Sequence, residues 1–359
     1  MSAFTYELAA VMAAQAQATQ GHADGLYSMP WYLVIGEPGS GRSTAIKALN
    51  LSWPRGDQAV ATNSPTPQCD YWMPEKAIFI EPGKTVLGQA RQQGALQELC
   101  YELKAKRPRE PIDGVIVVLS TRFLASAGEE DVERYANSLR RYLIEVAQAL
   151  DADIPTYVVA SAFDDLWGFG DAFQWTAARR DEEPWGFSLP PSMPAEQTVA
   201  ALEPAFEGVR ARIEAMCFDK LASEAPADVR IRSYQHLAEA LAAVQRLEAV
   251  MKILSLSNSF ERAPWIRALA IGSGHPGTGQ RMRYRIGEFV AMGYTAPQQS
   301  GTPQPGGMPL HGLLDAVLLP ERDLVPTKTR WRDDTVLIVL LVVGVLAWIA
   351  AVIVFLSQK

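Results

Sequence analysis

The sequence predicts an α/β fold: a parallel sheet with flanking helices, a helical subdomain and one C-terminal transmembrane helix. Three observations support this expectation. Short apolar runs of strand length alternate with helical patterns in the first half of the chain, a Gly-rich loop follows the first of these runs, and a long uncharged apolar segment lies near the C-terminus. Strands that alternate with helices are typical of parallel sheets covered on both faces.

Four apolar runs are predicted to form the first strands, namely residues 29–35, 77–80, 114–120 and 156–160. Helices are expected in the Ala-rich N-terminus, over 89–106 and over 132–151. From residue 195 onward Ala, Leu and Glu dominate, which predicts helices over 195–221 and 233–254. The apolar run 265–272 is predicted to be a late strand that returns to pair elsewhere. Two aromatic pairs, Tyr71 with Trp72 and Trp185 with Phe187, are expected to pack loops onto the sheet.

Composition limits the classes of partner and compartment. The chain has 359 residues, of which 48% are hydrophobic and 20% charged, and its net charge is −7. A nucleic-acid binder needs a basic surface, so no nucleic-acid partner is expected. The three cysteines, Cys69, Cys100 and Cys217, are widely spaced, which favours a reducing compartment and gives no zinc-binding pattern.

The C-terminal segment predicts a membrane anchor. Residues 336–356 contain no charged side chain, and as a helix they would span about 30 Å, the thickness of a hydrocarbon core. Only three residues follow, so a tail-anchored topology with lipid contact over 335–357 is expected. Basic residues precede the segment, which places the bulk of the chain in the cytoplasm by the positive-inside rule. These residues are Arg322, Lys328, Arg330 and Arg332.

Residues 36–44, GEPGSGRST, carry the strongest chemical signal. They follow the Walker A pattern G-x-x-x-x-G-K-[ST] at all but one position, between a predicted strand and a predicted helix. Gly36 and Gly41 let the backbone curl so that its N–H groups converge on an anion. This predicts a P-loop NTPase-like domain that binds GTP or ATP with Mg²⁺, or that has lost its cofactor. The predicted nucleotide contacts are Gly36, Gly39, Gly41, Arg42, Ser43, Thr44 and Asp164, and the predicted metal ligands are Ser43 and Glu81.

Three departures from an active NTPase indicate a degenerate site without a catalytic residue. Arg42 stands where a lysine reaches the β- and γ-phosphates, and its planar guanidinium is larger than an ammonium. Glu81 stands where an Asp ends the second strand. After the fourth strand, the guanine-reading pattern [NT]-K-x-D is reduced to Asp164 alone, and a role for Asp164 as a helix cap or turn residue is equally open.

Several blocks, in order along the chain, resemble the TssM/IcmF family, the large inner-membrane subunit of type VI secretion systems. The segment 26–49 is similar to the family's phosphate-loop segment, and 107–120, RPREPIDGVIVVLS, is close to its R-P-x-R-P-I-D-G-V-I-V block. Further similar blocks are TPQCDYWM (66–73), AIFIEPG (77–83), Asp164, WGFSLP (185–190) and IRALAIGSGHPGTG (266–279).

The resemblance implies a cytoplasmic NTPase-like domain in a trans-envelope complex, with TssL-like membrane subunits and the baseplate as partners. Family members usually have two N-terminal membrane helices and a large periplasmic region. This chain is expected to be a short form without them, so contact with an outer-membrane lipoprotein is not expected.

The expected organisation is an N-terminal helix (1–28), a P-loop NTPase-like domain (29–190), a helical subdomain with the late strand (191–295), a flexible linker (296–312), a juxtamembrane segment (313–334) and a transmembrane helix (335–357). Three functions stay open at this point. The first is a structural docking subunit of a secretion apparatus in the bacterial inner membrane, with a degenerate NTPase site. The second is an active GTP- or ATP-hydrolysing switch. The third is a tail-anchored signalling protein unrelated to secretion.

Overall fold

The computed structural model describes residues 2–19, 25–49, 51–54, 58–60, 67–173, 185–257, 261, 263–272, 310–325 and 341–342. Its strands are β1 (Trp31–Ile35), β2 (Cys69–Trp72), β3 (Ile78–Pro82), β4 (Gly114–Ser120), β5 (Pro155–Ser161), β6 (Gly186–Ser188) and β7 (Trp265–Ile271). Its helices are α1 (Ala3–Ala18), α2 (Arg42–Ala48), α3 (Ala95–Lys106), α4 (Thr121–Ser126), α5 (Glu129–Leu150), α6 (Phe169–Phe173), α7 (Thr198–Ala222) and α8 (Ala227–Leu254).

The strands form one sheet in the order β2-β3-β1-β4-β5-β7-β6. The five central strands, from β3 to β7, pair in parallel, which confirms the predicted parallel sheet. The late strand β7 returns to pair with β5, as predicted. Both edge strands are antiparallel, so the sheet as a whole is mixed.

The edge strands correct one prediction. Tyr71 and Trp72 were expected to pack a loop onto the sheet, but they lie in β2, where they pair with Ile80 and Phe79 of β3. Similarly, Phe187 lies in β6 opposite Leu269. Short strands are hard to recognise in isolation because their stability comes from the neighbouring strand rather than from their own residues.

The two faces of the sheet are covered in different ways. Along β1, Trp31, Leu33 and Ile35 point to one face, and Tyr32 and Val34 point to the other. On the first face they join a large core with side chains from α1, α3, α5, α7 and α8. On the second face the cover consists of α2, of a few side chains that follow it (Leu49, Leu51, Trp53 and Ala59), and of residues 310–319, which were expected to belong to a linker and a juxtamembrane segment.

Within the described residues, no helix has the length and hydropathy needed to cross a bilayer. The predicted transmembrane segment 335–357 lies outside the described residues, except for Leu341 and Val342. The linker predicted over 296–312 is likewise described only from Leu310. The division of the chain into an NTPase-like domain and a helical subdomain stays a prediction.

Candidate functional site

The loop between β1 and α2 lies at the carboxyl end of the parallel strands. Gly39 and Gly41 have φ angles of +87° and +86°, which L-residues rarely adopt. A Cβ atom on Gly36 would lie 2.6 Å from Ser40 Oγ and 2.7 Å from the Val118 carbonyl oxygen, so no larger residue fits there. The predicted glycines therefore allow the tight backbone path of this loop, and its role as a phosphate loop stays a prediction.

Ser161 at the end of β5 holds this loop in place. Its hydroxyl lies 2.7 Å from the carbonyl oxygen of Ser40 and 3.1 Å from that of Leu119, and it donates to one or the other. The sequence did not predict this role for Ser161, which stands at the first position of the degenerate [NT]-K-x-D pattern. The feature of the sequence that could have indicated this role is the position of Ser161 at the carboxyl end of β5, the strand that pairs with β4.

Arg42 is buried, and its side chain is directed to the end of β3. Its Nη1 donates to the carbonyl oxygen of Pro82 at 2.6 Å, and its Nε lies 3.5 Å from Glu81 Oε1. Burial lowers the pKa of Arg42, while the Glu81 carboxylate opposes this shift. A guanidinium remains protonated in proteins, so the result is a buried ion pair beside the loop.

The Glu81 carboxylate contacts three side chains, those of Ser43, Trp72 and Arg42. The Ser43 hydroxyl lies 2.8 Å from Glu81 Oε2 and 3.0 Å from Oε1, and the Trp72 indole donates to Oε2 at 3.0 Å. Together with Arg42, these residues form a network that we call the Glu81 network (Arg42, Ser43, Trp72 and Glu81). The structure thus brings the two predicted metal ligands, Ser43 and Glu81, into direct contact.

Trp72 is the member of the Glu81 network that sequence reasoning did not include. It belongs to β2, two residue pairs from the position where Asp70 faces Glu81. Lys47 of α2 lies 5.3 Å above the Trp72 ring, a cation–π contact that also ties α2 to this edge of the sheet.

The residues present fit a Mg²⁺-nucleotide in part. The glycine conformations fit an anion, and the buried Ser40 Oγ has no hydrogen-bond partner among the described atoms. A hydroxyl and a carboxylate in contact are the kinds of oxygen ligand that Mg²⁺ takes. The one cation of the loop, however, is engaged with Glu81 and Pro82. The backbone is therefore suited to phosphate, but the Arg42 side chain is not directed to it.

Two further predicted contacts are Thr44, at the end of the loop, and Asp164, three residues after β5. Thr44 is the third residue of α2 and is partly buried. Asp164 is the middle residue of a short 3-10 turn, Phe163–Asp165, that begins after Ala162 at φ +57°. Its neighbour Asp165 is buried and accepts a hydrogen bond from Arg122 Nε at 3.1 Å. A role of Asp164 in reading a base stays a prediction.

A cavity of about 680 Å³ opens next to the first half of the loop. It is lined by residues 37–40, by one face of α5, and by side chains after β3 and around the end of β4 (Gly88, Gln89, Arg91, Ser120 and Phe123). Ser138 of α5 donates to Glu37 Oε1 at 3.0 Å, and Arg91 stacks on Tyr142 at 5.4 Å. The volume is in the range of small-molecule pockets. The Glu81 network does not line this cavity.

Residues 89–346 match the family described as the IcmF-related N-terminal domain. The type VI secretion system component TssM1 of Pseudomonas aeruginosa is 27% identical to this chain over 259 residues, which cover 69% of this chain and 24% of that protein. The chain therefore spans about a quarter of the length of this curated relative.

Two solved structures also match. The crystal structure of an SsGBP and GDP complex has a TM-score of 0.23 and 12% identity, covering 44% of this chain and 41% of that one. A mutation variant of SsGBP has a TM-score of 0.23 and 11% identity, covering 45% and 48%. Similarity at this level carries no conclusion about function.

The predicted family resemblance is confirmed by the match, which extends over most of the chain. The protein belongs to the family defined by the IcmF-related N-terminal domain.

Proposed function

We propose that this protein is a structural docking subunit of a type VI secretion system membrane complex, with a degenerate cytoplasmic NTPase-like domain. The family assignment supports this proposal, as does the similarity to a relative described as a type VI secretion component. The aligned region covers 24% of that relative. The role proposed here is therefore limited to the part of the family's function that this region carries.

The Glu81 network is the observation that carries the proposal. An active phosphate loop places its cation on the β- and γ-phosphates. Here Arg42 is held by the Pro82 carbonyl and by Glu81. Taking one partner away from a buried ion pair costs about 3–5 kcal/mol, because the other charge is left uncompensated. The network therefore opposes the movement of Arg42 that catalysis would require.

The location and partners follow from the same family role. The predicted membrane segment 335–357 would hold the domain at the bacterial inner membrane with its bulk in the cytoplasm, in contact with lipid. TssL-like membrane subunits and the baseplate are the proposed protein partners. The net charge of −7 argues against nucleic acid.

Hydrolysis by the purified full chain in detergent tests the proposal. The full chain is needed because residues 310–325 cover part of the sheet, so a fragment that ends earlier would lose them. We expect phosphate release from GTP and from ATP with Mg²⁺ to be no faster in the wild type than in Arg42→Ala. Clear Mg²⁺-dependent turnover that Arg42→Ala abolishes would reject the proposal.

A second candidate function is a nucleotide-dependent switch, and the contact between Ser43 and Glu81 favours it. This pair would hold Mg²⁺ beside the loop, while backbone N–H groups would hold the phosphates. The switch requires GTP or ATP binding that depends on Mg²⁺ and weakens in Ser43→Ala. Calorimetry with each nucleotide decides, since no heat at millimolar nucleotide would remove this candidate.

Affinity purification from detergent-solubilised membranes separates the secretion role from an unrelated signalling role. Recovery of TssL-like or baseplate proteins with the tagged full chain is the expected result. Recovery of neither, under conditions in which the chain itself remains folded, would argue for a role outside secretion.

A further inference from the structure

Residues 310–325, which we call the strap, lie on the second face of the sheet over 310–319, and Val325 at their end packs into the core of the first face. The strap starts with a short helical turn, continues as a π-helix over Leu314–Leu318 and ends at Val325. In the sequence it stands directly before the region that contains the predicted membrane segment. It is therefore the last described part of the chain before residues 335–357.

Apolar packing holds the strap on the sheet. Leu313, Leu314 and Leu318 are at most 2% exposed and belong to the same cluster as Tyr32 and Tyr157. The Tyr32 hydroxyl also donates to the Leu318 carbonyl oxygen at 2.7 Å. The burial of these three leucines adds apolar area to the cover that the seven-residue helix α2 and the side chains after it give this face.

A buried ion pair fixes the second half of the strap. Arg267 of β7 donates to both oxygens of Glu321, from Nη2 at 2.6 Å and from Nε at 3.1 Å. The Tyr157 hydroxyl adds a hydrogen bond to Glu321 Oε2 at 3.0 Å. Arg267 also donates to the carbonyl oxygens of Leu189 and Pro190, so its guanidinium is well satisfied. This bidentate geometry sets the position of the strap on the sheet.

The first residue of the strap contacts the helix that follows the phosphate loop. The Leu310 N–H donates to the Ala48 carbonyl oxygen at 3.3 Å, at the end of α2. Ala45, Ile46 and Leu49, from α2 and the residue after it, are buried in the same cluster as the strap leucines. The strap and α2 thus share one apolar interface as well as a backbone hydrogen bond.

From this arrangement we propose that the strap and α2 move as one unit, which couples the phosphate loop to the chain that leads to the predicted membrane segment. A load on residues after 325 reaches α2 through the strap, and a shift of α2 loosens the strap. Closely packed cores respond in this way because a displaced element leaves its neighbours without contacts. The coupling arises from packing and does not require nucleotide hydrolysis, so it stands or falls separately from the proposed function.

Hydrogen exchange of the full chain in detergent, followed by mass spectrometry, tests the coupling. Leu314→Ala removes a fully buried strap side chain, and Leu103→Ala removes an equally buried leucine of α3 on the first face. We expect Leu314→Ala to raise exchange about tenfold or more in both 310–325 and 42–49, while 95–106 stays unchanged. Leu103→Ala should raise exchange in 95–106 and leave 310–325 unchanged.

The reverse direction provides a second variant in case Leu314→Ala does not fold. Ile46→Ala, which truncates a buried residue of α2, should raise exchange in the strap, because coupling between two sites is reciprocal. Lys76→Ala breaks only the exposed ion pair between Lys76 and Asp315 and should change neither segment. If Leu314→Ala or Ile46→Ala raises exchange in only one of the segments 310–325 and 42–49 and leaves the other unchanged, the proposal is overturned.

Discussion

At the scale of single residues, the Arg42 guanidinium lies against the Pro82 carbonyl and Glu81, and this arrangement decides the chemistry available to the loop. A lysine ammonium is compact and has three freely rotating donors, whereas a guanidinium is a planar fork that suits carboxylate partners. With Glu81 one methylene longer than Asp, the two side chains meet beside the loop. We attribute the proposed loss of catalysis to this pair of substitutions acting together.

A second residue-scale consequence concerns His236 on α8, which is fully buried. Its Nδ1–H donates to the Trp167 carbonyl oxygen at 2.9 Å. Burial lowers the pKa of His236 to about 4, although the hydrogen bond to Trp167 and the charge of Asp171 oppose this shift. The unfolded chain, with the usual pKa of about 6.5, binds the proton more readily. Acid therefore favours unfolding between about pH 6.5 and pH 4.

This linkage predicts a pH-dependent difference between the wild type and His236→Gln, which does not titrate. The wild type should lose roughly 3 kcal/mol of its stability relative to the variant as the pH falls from about 6.5 to 4. Urea unfolding of both proteins at a series of pH values measures this difference. A difference that stays constant over the range would contradict the pKa assigned to His236.

Some of these single-residue contacts could be predicted from the sequence. The glycines of the loop follow from a motif with fixed spacing, and Glu81 was named as a partner of Ser43 from its place at the end of the second apolar run. The direction of Arg42 and the roles of Ser161 and Trp72 could not be predicted, because they depend on which strand ends lie side by side. That information is set by strand order, which a motif does not contain.

At the scale of elements, the short edge strand β6 depends on a very close approach to β7. Gly186 has φ +134°, and a Cβ atom there would lie 1.8 Å from the Leu269 carbonyl oxygen. Only glycine fits this position, because the obstacle is backbone that cannot turn aside. The antiparallel pairing of β6 therefore requires Gly186.

Gly186→Ala should lower the free energy of unfolding by about 2 kcal/mol or more, because β6 must separate from β7. Gly208→Ala, within α7, is the matched control, since a Cβ atom there meets nothing within 4 Å. Alanine is favoured in helix interiors, so this control should raise stability by about 0.5–1 kcal/mol. Thermal unfolding of the two variants checks the opposite signs, and equal effects would contradict the account of β6.

The long elements were predictable because their periodic patterns agree with their burial. α5 was expected over 132–151, and the apolar residues of one face, Leu139, Leu143, Val146 and Leu150, are all buried. The central strands were expected from continuous apolar runs, as in sheets covered on both sides. β2 and β6 were not, since strands of four and three residues carry too little pattern.

At the scale of the whole molecule, the two faces of the sheet differ in how they are covered. Helices from much of the chain cover the first face, whereas α2, the side chains that follow it and most of the strap cover the second. The sequence predicted residues 313–334 to be a juxtamembrane segment. The burial of the first part of this segment on the sheet was not predictable from local pattern, because it depends on Tyr32, Tyr157 and Arg267, which are far away in the sequence.

On the second face, α2 follows the phosphate loop and packs against the strap, which precedes the predicted membrane segment in the sequence. This arrangement suits a subunit that transmits a displacement without hydrolysing a nucleotide, because α2 links the loop directly to the strap. The structural role proposed above is consistent with such a layout.

The central claim is that the loop has the backbone of a phosphate site, but that Arg42 is held by Glu81 and does not contact the phosphates. Calorimetric binding of GTP and ATP with Mg²⁺ to the full chain, wild type against Arg42→Lys, tests this claim most directly. We expect the lysine variant to bind at least about tenfold more tightly, equivalent to about 1.4 kcal/mol, because a compact ammonium is free to reach the phosphates. Equal or tighter binding by the wild type would contradict the claim.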